Sequence, residues 1–177
     1  MGDYSTEQMK NMILQHVRQD SSKRFIGTIY QDMECMNSVI SYLAEPFSGK
    51  IDAIASPATA GYILGSMMAR ELKVPFIPIM KGGAADADDA DDFIRSSYLD
   101  HKNAVRSMKI RKDSLKKDQR ILLVDNWIET AATITTCLTL LDEAEAKIEG
   151  ITAFGLDYND ATARLIETGK VRTVVID

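Results

Sequence analysis

Apolar residues recur at helical spacing over residues 6–18, which predicts an amphipathic helix at the start of the chain. The face that they share carries Met9, Met12, Ile13 and Val17. Residues 24–33 follow as a short extended segment around Gly27. Helical spacing returns over 36–47, and we expect Pro46 to end that helix, because a proline ring clashes inside one.

Apolar runs and helical patterns then alternate along the chain, as in a βαβ unit. The predicted elements are a buried strand at 51–56, a turn at 57–61, a helix at 62–72 and a strand at 74–80. Strands joined by a crossover helix are parallel, and helices usually cover both faces of such a sheet.

The second half of the chain continues this alternation. Its predicted elements are a hairpin or strand pair within 96–110, a strand at 121–125, a helix at 130–146, a strand at 148–158, a helix at 159–169 closed by Gly169, and a strand at 171–177. No linker divides the chain, so we expect one domain over 1–177, with a small N-terminal hood at about 1–35. The fold class is α/β, an open, mostly parallel twisted sheet flanked by helices, with 121–125 at its centre.

The segment 81–93 interrupts the pattern with two glycines and then five aspartates in the seven positions 86–92. Such a stretch buries too little apolar surface to offset the entropy of ordering it, so we predict that residues 82–95 are mobile without ligand. A calcium loop is excluded, since the sixth position from Asp86 is Asp91 instead of glycine. A few of these carboxylates could chelate magnesium, namely Asp88, Asp89 and Asp92.

Composition narrows the class of protein. The 177 residues are 45% hydrophobic, with a net charge of −5 and no broad basic face, which argues against a disordered chain and against nucleic-acid binding. No apolar run approaches the roughly 20 residues of a membrane span, and the N-terminus lacks a signal-peptide pattern. We therefore expect a cytoplasmic protein. Cys35 and Cys137 lack metal-ligand spacing and are expected to be reduced thiols in the core.

A candidate ligand-binding segment lies at residues 121–133, ILLVDNWIETAAT, where an apolar strand is followed by an acid and then by a loop of small residues. Asp125 falls at the carboxyl end of the strand, where ligands bind in open α/β sheets. The loop 130–133 leads into a helix, whose N-terminal N–H groups and dipole suit an anion. An acid that accepts hydroxyl hydrogens beside a phosphate cradle predicts a sugar-phosphate site. The alternative is an ordinary strand-to-helix turn with Thr130 as N-cap.

This stretch resembles the phosphoribosyl-pyrophosphate motif of the type I phosphoribosyltransferases: an apolar strand, two acids, two apolar residues, a variable residue and Thr-Gly-Gly-Thr. The flanking segments resemble the adenine phosphoribosyltransferase branch of that family. They are IGTIYQD at 26–32, IDAIASPATAGYILG at 51–65, IPIMKGG at 77–83 and IRKDSLKKDQR at 110–120. The resemblance covers about residues 25–158 and implies a type I phosphoribosyltransferase-like fold.

The resemblance implies a role for each matched position. The 2- and 3-hydroxyls of the ribose would be bound by Asp125 and Asn126. The 5-phosphate would be wrapped by Glu129, Thr130, Ala131, Ala132 and Thr133. Pyrophosphate would be bound by Ala58, Thr59, Ala60 and Lys81. The purine would lie along Ile29 and Gln31. The catalytic positions, in a closing loop at 98–102, would be Asp100 and His101.

The reaction that the resemblance implies transfers ribose 5-phosphate from phosphoribosyl pyrophosphate to a purine base, with adenine as first choice, and releases pyrophosphate. Magnesium (Mg²⁺) would bridge pyrophosphate oxygens and neutralise charge on the leaving group. The closed loop would exclude water, which otherwise hydrolyses the activated sugar. The partners would be these two substrates and a second copy of the chain in a homodimer.

Several departures from the family motif keep a second hypothesis open. Asn126 replaces the second acid, Ala131 and Ala132 replace two glycines, and Ala60 stands where the family often has an arginine. Glu129 brings a carboxylate to the phosphate, and like charges ~4 Å apart repel by about 4 kcal/mol at an effective dielectric near 20. Glu129 must therefore point away, pair with a base or exclude phosphate. The alternative function is a degenerate homologue that binds a nucleotide or sugar phosphate as a regulator without catalysis, or binds only protein.

Overall fold

The computed structural model describes residues 4–20, 23–82, 91–99 and 104–177. Its α-helices are α1 (Thr6–His16), α2 (Met33–Ala44), α3 (Gly61–Leu72), α4 (Ala132–Glu143) and α5 (Asp160–Glu167). Its strands are β1 (Arg18–Asp20), β2 (Lys23–Phe25), β3 (Ala53–Pro57), β4 (Phe76–Lys81), β5 (Phe93–Leu99), β6 (Val105–Arg111), β7 (Arg120–Val124), β8 (Trp127–Ile128), β9 (Lys147–Leu156) and β10 (Val171–Ile176). Short 3-10 helices span Gly27–Gln31, Glu45–Phe47 and Lys112–Ser114. None of the described helices is long and apolar enough to cross a membrane.

The strand β7 lies in the middle of the main sheet, as predicted. The strand order is β10-β9-β7-β3-β4-β6-β5, and β7 pairs in parallel with both β9 and β3. The strands β10 and β4 extend the parallel part on either side. Asp125 follows the last residue of β7 and so stands at its carboxyl end. The predicted fold class is confirmed.

The amino ends of β3 and β7 are joined by an ion pair. Arg120 donates to the Asp52 carboxylate through Nη2 (2.7 Å) and Nε (3.1 Å), and its backbone N–H adds a third bond to Asp52 (2.8 Å). These bonds lower the pKa of Asp52 to about 2. The two strands are therefore fixed to each other at the end opposite to Asp125.

The far edge of the sheet is an antiparallel hairpin. The strands β5 and β6 pair over their whole length, whereas β6 meets β4 only at Met80 and Lys81. The predicted strand pair within 96–110 is confirmed, although β5 begins earlier, at Phe93. The two-residue strand β8 pairs with β9 beyond the end of β7.

Helices cover both faces of the sheet, and each face has its own core. Leu122 and Val124 belong to the core formed with α1, α2 and α3, whereas Ile121 and Leu123 belong to the core formed with α4 and α5. All four side chains are fully buried. A strand buried on both faces needs a continuous apolar run instead of an alternation, which is why the sequence pattern located it.

The segment between α1 and α2 differs from the prediction. Residues 24–33 were expected to be extended, but the strand ends at Phe25 and Gly27–Gln31 is a 3-10 helix. A side-chain carbon at Gly27 would meet the Phe25 ring at 2.6 Å, so glycine lets that ring lie against the backbone there.

The helix α2 begins three residues earlier than predicted. The Asp32 side chain accepts a hydrogen bond from the Cys35 N–H (2.9 Å) and caps the helix, which therefore starts at Met33. It ends at Ala44, and a short 3-10 helix that contains Pro46 follows.

Part of the acidic segment lies outside the described residues. The predicted mobility of residues 82–95 falls mostly on 83–90, and the magnesium alternative includes Asp88 and Asp89 in that range. From Phe93 onward the described chain forms β5. Both cysteines are buried and free of disulfide bonds, as expected.

Candidate active site

Asp125, at the carboxyl end of β7, has only 8% of its surface exposed. Its backbone N–H donates to the Thr152 carbonyl (3.0 Å), and its Oδ1 accepts the N–H of Asn126 (2.8 Å). Burial raises the pKa of the Asp125 carboxyl to about 7; the bond from Asn126 lowers it in part, and the charge of Glu129 raises it further. The second oxygen has no donor among the described residues and is available to a ligand.

The helix α3 begins against this carboxylate. A side-chain carbon built at Gly61 would lie 2.9 Å from Asp125 Oδ1, so glycine is needed at the first position of the helix. The turn 58–60 precedes Gly61 and follows β3, whose carboxyl end lies beside that of β7. The turn and the carboxylate therefore share one edge of the sheet.

The turn that follows β3 offers backbone donors. The N–H of Ala58 donates to the Ile79 carbonyl of β4 (2.8 Å), which ties the turn to the next strand. The N–H groups of Thr59 and Ala60 have no acceptor in the described ranges. The peptide bond between Ala58 and Thr59 is cis. Lys81 ends β4 at the same edge of the sheet and is exposed.

The loop between β8 and α4 forms a second set of backbone donors. The N–H groups of Glu129, Thr130 and Ala131 find no acceptor in the part of the chain that the structure describes. The helix α4 begins at Ala132, so its N-terminal dipole adds to these donors. Glu129 and Thr130 are exposed, whereas Ala131 is buried. This arrangement suits an anion such as phosphate.

The alternative interpretation of this loop, an ordinary turn with Thr130 as N-cap, is wrong in its N-cap. The N-cap of α4 is Ala131, which has a left-handed backbone conformation (φ 60°) and makes no side-chain cap. That conformation costs alanine roughly 1–2 kcal/mol, and it falls where the family motif has its first glycine. Ala132, at the second glycine position, is an ordinary helical residue. Strain at the loop is thus confined to one of the two alanines.

Residues at and beyond the end of β9 hold this loop in place. Asn159 donates from Nδ2 to the Glu129 carbonyl (2.8 Å), and Trp127 donates from Nε1 to Asp157 Oδ1 (2.7 Å). The Trp127 ring lies against Gly155, where a side-chain carbon would be 2.4 Å from the ring. The loop is therefore held through the Glu129 carbonyl and, just before the loop, through the Trp127 side chain.

The segment predicted to lie along a purine places its residues differently. Ile29 has no exposed surface, because three residues per turn put it on the core face with Ile26. Gln31 is exposed. Tyr30 is half-buried, and burial together with the charge of Asp125 raises its pKa to about 12. Its buried hydroxyl has no partner among the described residues. Tyr30 therefore senses the charge of Asp125, whereas Ile29 is unavailable to a ligand.

The β5–β6 hairpin reaches the first turn of α4. The Tyr98 hydroxyl lies 3.4 Å from Thr133 Oγ1, and either group can donate. The tip of the hairpin, 100–103, lies outside the described residues, so the roles of Asp100 and His101 remain predictions.

Sequence reasoning missed three residues of this arrangement. Tyr30 is the aromatic residue of IGTIYQD, but only the 3-10 turn decides that Ile29 is fully buried while Tyr30 is half-buried, with an unpartnered hydroxyl among the described residues. Gly61 follows the small-residue turn, although its contact with Asp125 needs the sheet order. Asn159 precedes a helix as N-caps do, but its bond to Glu129, 30 residues earlier, has no local signal.

A buried acid and two loops of backbone donors at the carboxyl edge of a parallel sheet are typical of α/β proteins that bind phosphorylated ligands. The chain belongs to the family described as phosphoribosyl transferase domain, which matches residues 28–175.

Individual relatives agree with this family. The adenine phosphoribosyltransferase of Rhodopirellula baltica is 29% identical over 143 residues, which cover 76% of this chain and 67% of that protein. The adenine phosphoribosyltransferase of Clostridium perfringens is 29% identical over 153 residues, 86% of each protein. The crystal structure of adenine phosphoribosyltransferase from Thermoanaerobacter pseudethanolicus matches with a TM-score of 0.81 at 24% identity, covering 95% of this chain and 99% of that one. The structural likeness supports the fold.

Proposed function

We propose that this protein transfers ribose 5-phosphate from phosphoribosyl pyrophosphate to adenine, releases pyrophosphate and so serves purine salvage. The observation that carries the proposal is the buried Asp125 carboxyl beside the N–H groups of Glu129, Thr130 and Ala131, which have no acceptor among the described residues. An acceptor for ribose hydroxyls and donors for a phosphate then lie at adjacent points of one sheet edge. The relatives named adenine phosphoribosyltransferase support adenine as the base.

Asp125 binds the ribose in this proposal. Its free oxygen accepts a hydrogen bond from a ribose hydroxyl, and Asn126 accepts from the other. Positive charge develops on the sugar as pyrophosphate leaves, and the ionised Asp125 carboxylate stabilises it. Asn126 contributes less than an acid would, since a neutral hydrogen bond is worth about 0.5–1.5 kcal/mol and a charged one about 1.5–3 kcal/mol.

Two loops divide the phosphate groups between them. The 5-phosphate takes the N–H groups of 129–131, the N-terminus of α4 and the hydroxyls of Thr130 and Thr133. Ala132 lines the same turn. Pyrophosphate takes the N–H groups of Thr59 and Ala60, with Ala58 holding that turn to β4 and Lys81 supplying a positive charge.

Tyr30 and Gln31 bind the base in this proposal. The unpartnered Tyr30 hydroxyl offers a hydrogen bond to the purine or the sugar, and exposed Gln31 lies next to it. A purine nitrogen attacks the anomeric carbon as the bond to pyrophosphate breaks. The resemblance to the family assigns loop closure and catalysis to Asp100 and His101.

Magnesium fits this edge of the sheet as an ion that is bound mainly through the substrate. Among the described residues, no three acidic or histidine side chains cluster here, so a cage built of protein alone is lacking. Mg²⁺ commonly takes one or two carboxylates, waters and substrate phosphates, and Asp125 can supply one carboxylate. When bound, the ion neutralises charge on the leaving pyrophosphate.

The proposal includes a cytoplasmic homodimer. The described residues include exposed apolar side chains that a second copy could bury, namely Phe25 (59%), Met33 (55%) and Ile63 (43%). Sedimentation of the purified chain would test the dimer.

A second candidate function is a regulator that binds a sugar phosphate or nucleotide without catalysis. The observation that favours it is Glu129, whose charge acts on Asp125 from the start of the proposed phosphate loop. A carboxylate turned into that loop would repel phosphate by about 4 kcal/mol at ~4 Å.

Calorimetric titration with phosphoribosyl pyrophosphate and Mg²⁺, followed by an assay for pyrophosphate release with adenine, separates the two functions. The proposal expects binding and turnover, and it expects Asp125→Ala to abolish turnover while the exposed Asp142→Ala does not. Binding without turnover with any purine base would support the regulator instead.

A further inference from the structure

Three side chains of metal-binding type meet at the start of α2, outside the site described above. His16 ends α1, Asp32 caps α2 and Cys35 lies in its first turn. An imidazole nitrogen, a carboxylate oxygen and the thiol sulfur all lie within 4.8 Å of one another. Within the described ranges, no other group of three potential ligands comes together in this way.

The His16 ring is oriented as a metal ligand would be. Its Nδ1 lies 3.3 Å from Thr28 Oγ1, whose hydroxyl donates to the His16 carbonyl (3.5 Å) and so accepts from Nδ1–H. Metal-binding histidines usually donate their second ring N–H to an oxygen in this manner. The lone pair of Nε2 is then directed at Asp32 Oδ2, 3.2 Å away.

Two acceptors that face each other at this distance require a positive charge between them, either a proton or a metal ion. The separation of 3.2 Å between Nε2 and Oδ2 is near the edge of a tetrahedron whose metal–ligand bonds are ~2.0–2.2 Å, which is about 3.4 Å. Asp32 Oδ1 meanwhile keeps its bond to the Cys35 N–H (2.9 Å), so ligation through Oδ2 leaves the helix cap intact.

Cys35 provides the innermost ligand. Its side chain is fully buried, whereas the side chains of His16 and Asp32 are 19% and 37% exposed, so an ion would enter from their side. One thiolate and one carboxylate balance the charge of a divalent cation.

We propose that His16 Nε2, Asp32 Oδ2 and Cys35 Sγ bind one divalent cation of the zinc type, with water as the fourth ligand. Mixed nitrogen, oxygen and sulfur ligands suit Zn²⁺. On binding, the Cys35 thiol releases its proton to solvent as the sulfur–metal bond forms. The proton between His16 Nε2 and Asp32 Oδ2 also leaves to solvent as both atoms bind the ion, and no oxidation state changes. The ion joins the end of α1 to the start of α2, two residues after Tyr30, and this role is independent of the proposed transfer reaction.

The test is a titration of the metal-free full chain with Zn²⁺ and with Co²⁺. We expect one ion per chain, a rise in the thermal unfolding midpoint with Zn²⁺, and thiolate-to-cobalt and tetrahedral cobalt absorption bands. The acidic residues 86–92 contain no sulfur, so a metal bound there cannot produce the thiolate band. Cys35→Ser should remove that band. Thr28→Val should lower the affinity for the metal about 10–100-fold, and His16→Gln should lower it at least as much.

Cys137→Ser is the matched control, because Cys137 is the other buried free thiol and lies in the opposite core. It should leave the cobalt spectrum unchanged. The absence of a thiolate band, its persistence in folded Cys35→Ser, or its loss in folded Cys137→Ser would overturn the proposal. Circular dichroism checks that each variant folds. If a cysteine variant unfolds, the metal affinity of His16→Gln tests the proposal instead, because His16 is partly exposed and its replacement disturbs the core less. A chain that binds only a proton between His16 and Asp32 would give none of the cobalt bands.

Discussion

Asn159 and Glu129 are joined by a hydrogen bond of 2.8 Å, from the Asn159 side-chain amide to the Glu129 carbonyl. The other side of the same amide accepts the N–H groups of Ala161 (3.0 Å) and Thr162 (3.1 Å) at the start of α5. One side chain thus begins a helix and fixes the proposed phosphate loop.

Asn159→Asp should separate these two tasks. Aspartate caps helices about as well as asparagine, so the free energy of unfolding should change little. It cannot donate to the Glu129 carbonyl, so affinity for phosphoribosyl pyrophosphate should fall about tenfold, the equivalent of one hydrogen bond of ~0.5–1.5 kcal/mol. Asn159→Ala should also cost stability, by ~1 kcal/mol. Unchanged affinity in folded Asn159→Asp would show that the bond does not shape the site.

The buried Asp125 should weaken the fold where it is ionised. Its pKa lies at about 7 in the folded chain, against about 4 when unfolded, so the folded state holds the proton more tightly between these values. The free energy of unfolding therefore falls as pH rises from ~4 to ~7, by up to about 1.4 kcal/mol per pH unit from this group. Asp125→Asn should raise the unfolding midpoint at pH 8 and leave it nearly unchanged at pH 4.

The same substitution should abolish transfer, because a neutral amide does not stabilise positive charge on the ribose. In the wild type, turnover should decline as pH falls through about 7. Asp142→Asn, on the exposed side of α4, is the control and should alter neither property. An Asp125→Asn variant that is less stable at pH 8 would contradict the assignment of a buried, destabilising carboxylate.

Adjacent alanines should respond oppositely to glycine. Ala131→Gly relieves a left-handed backbone conformation that costs ~1–2 kcal/mol, which exceeds the roughly 0.8 kcal/mol lost with one buried methyl group. Ala132→Gly, at the first helical position, should instead destabilise by up to ~1 kcal/mol. Urea unfolding midpoints compare the two, and equal losses would refute the role of the positive φ.

Two tyrosines form a similar pair. Tyr30→Phe removes a buried hydroxyl without a partner among the described residues, so unfolding free energy should stay equal or rise, while the KM for adenine or phosphoribosyl pyrophosphate increases. Tyr62→Phe removes a hydroxyl that donates to the Ile79 carbonyl (3.0 Å) and should cost ~0.5–1.5 kcal/mol of stability. A Tyr30→Phe enzyme with unchanged KM for both substrates would remove Tyr30 from the site.

Glu129→Ala decides between the two candidate functions. Glu129 is exposed, so in an active transferase its charge points to solvent and the change in substrate affinity should be less than about fivefold. Glu143→Ala, at the other end of α4 and also exposed, is the control. A wild type without detectable affinity that gains it through Glu129→Ala would support the regulator.

The main sheet could be predicted from the sequence because its signals are local. The run ILLV is apolar without interruption and short, which is typical of a strand covered on both faces, so β7 and the position of Asp125 were predicted. The start of α2 was misplaced because its boundary depends on the Asp32 side chain reaching the Cys35 N–H. The same residues are compatible with an extended segment or with a capped helix, and the contacts of the folded chain determine which of the two forms.

The loops of the candidate site could be predicted from the sequence, whereas most of the contacts between their side chains could not. Resemblance to a motif located 129–133 and 58–60, and the sheet order brings both to one edge. It assigned Ile29 to the purine by position, whereas a 3-10 turn buries Ile29 fully in the core and leaves Tyr30 half-buried at the edge of that core. The Tyr30 conformation and the bond from Asn159 depend on packing between distant segments, which no local pattern encodes.

The ion pair between Asp52 and Arg120 joins residues 68 positions apart in the chain. Closing a loop of that length costs about 4 kcal/mol of chain entropy before any pairing of β3 with β7 can compensate. We therefore expect β7 to join β3 late in folding, so that Asp52→Ala accelerates unfolding in stopped-flow experiments and scarcely changes the refolding rate. In a growing polypeptide, the two loops proposed to bind phosphate would then remain apart until most of the chain has been synthesised.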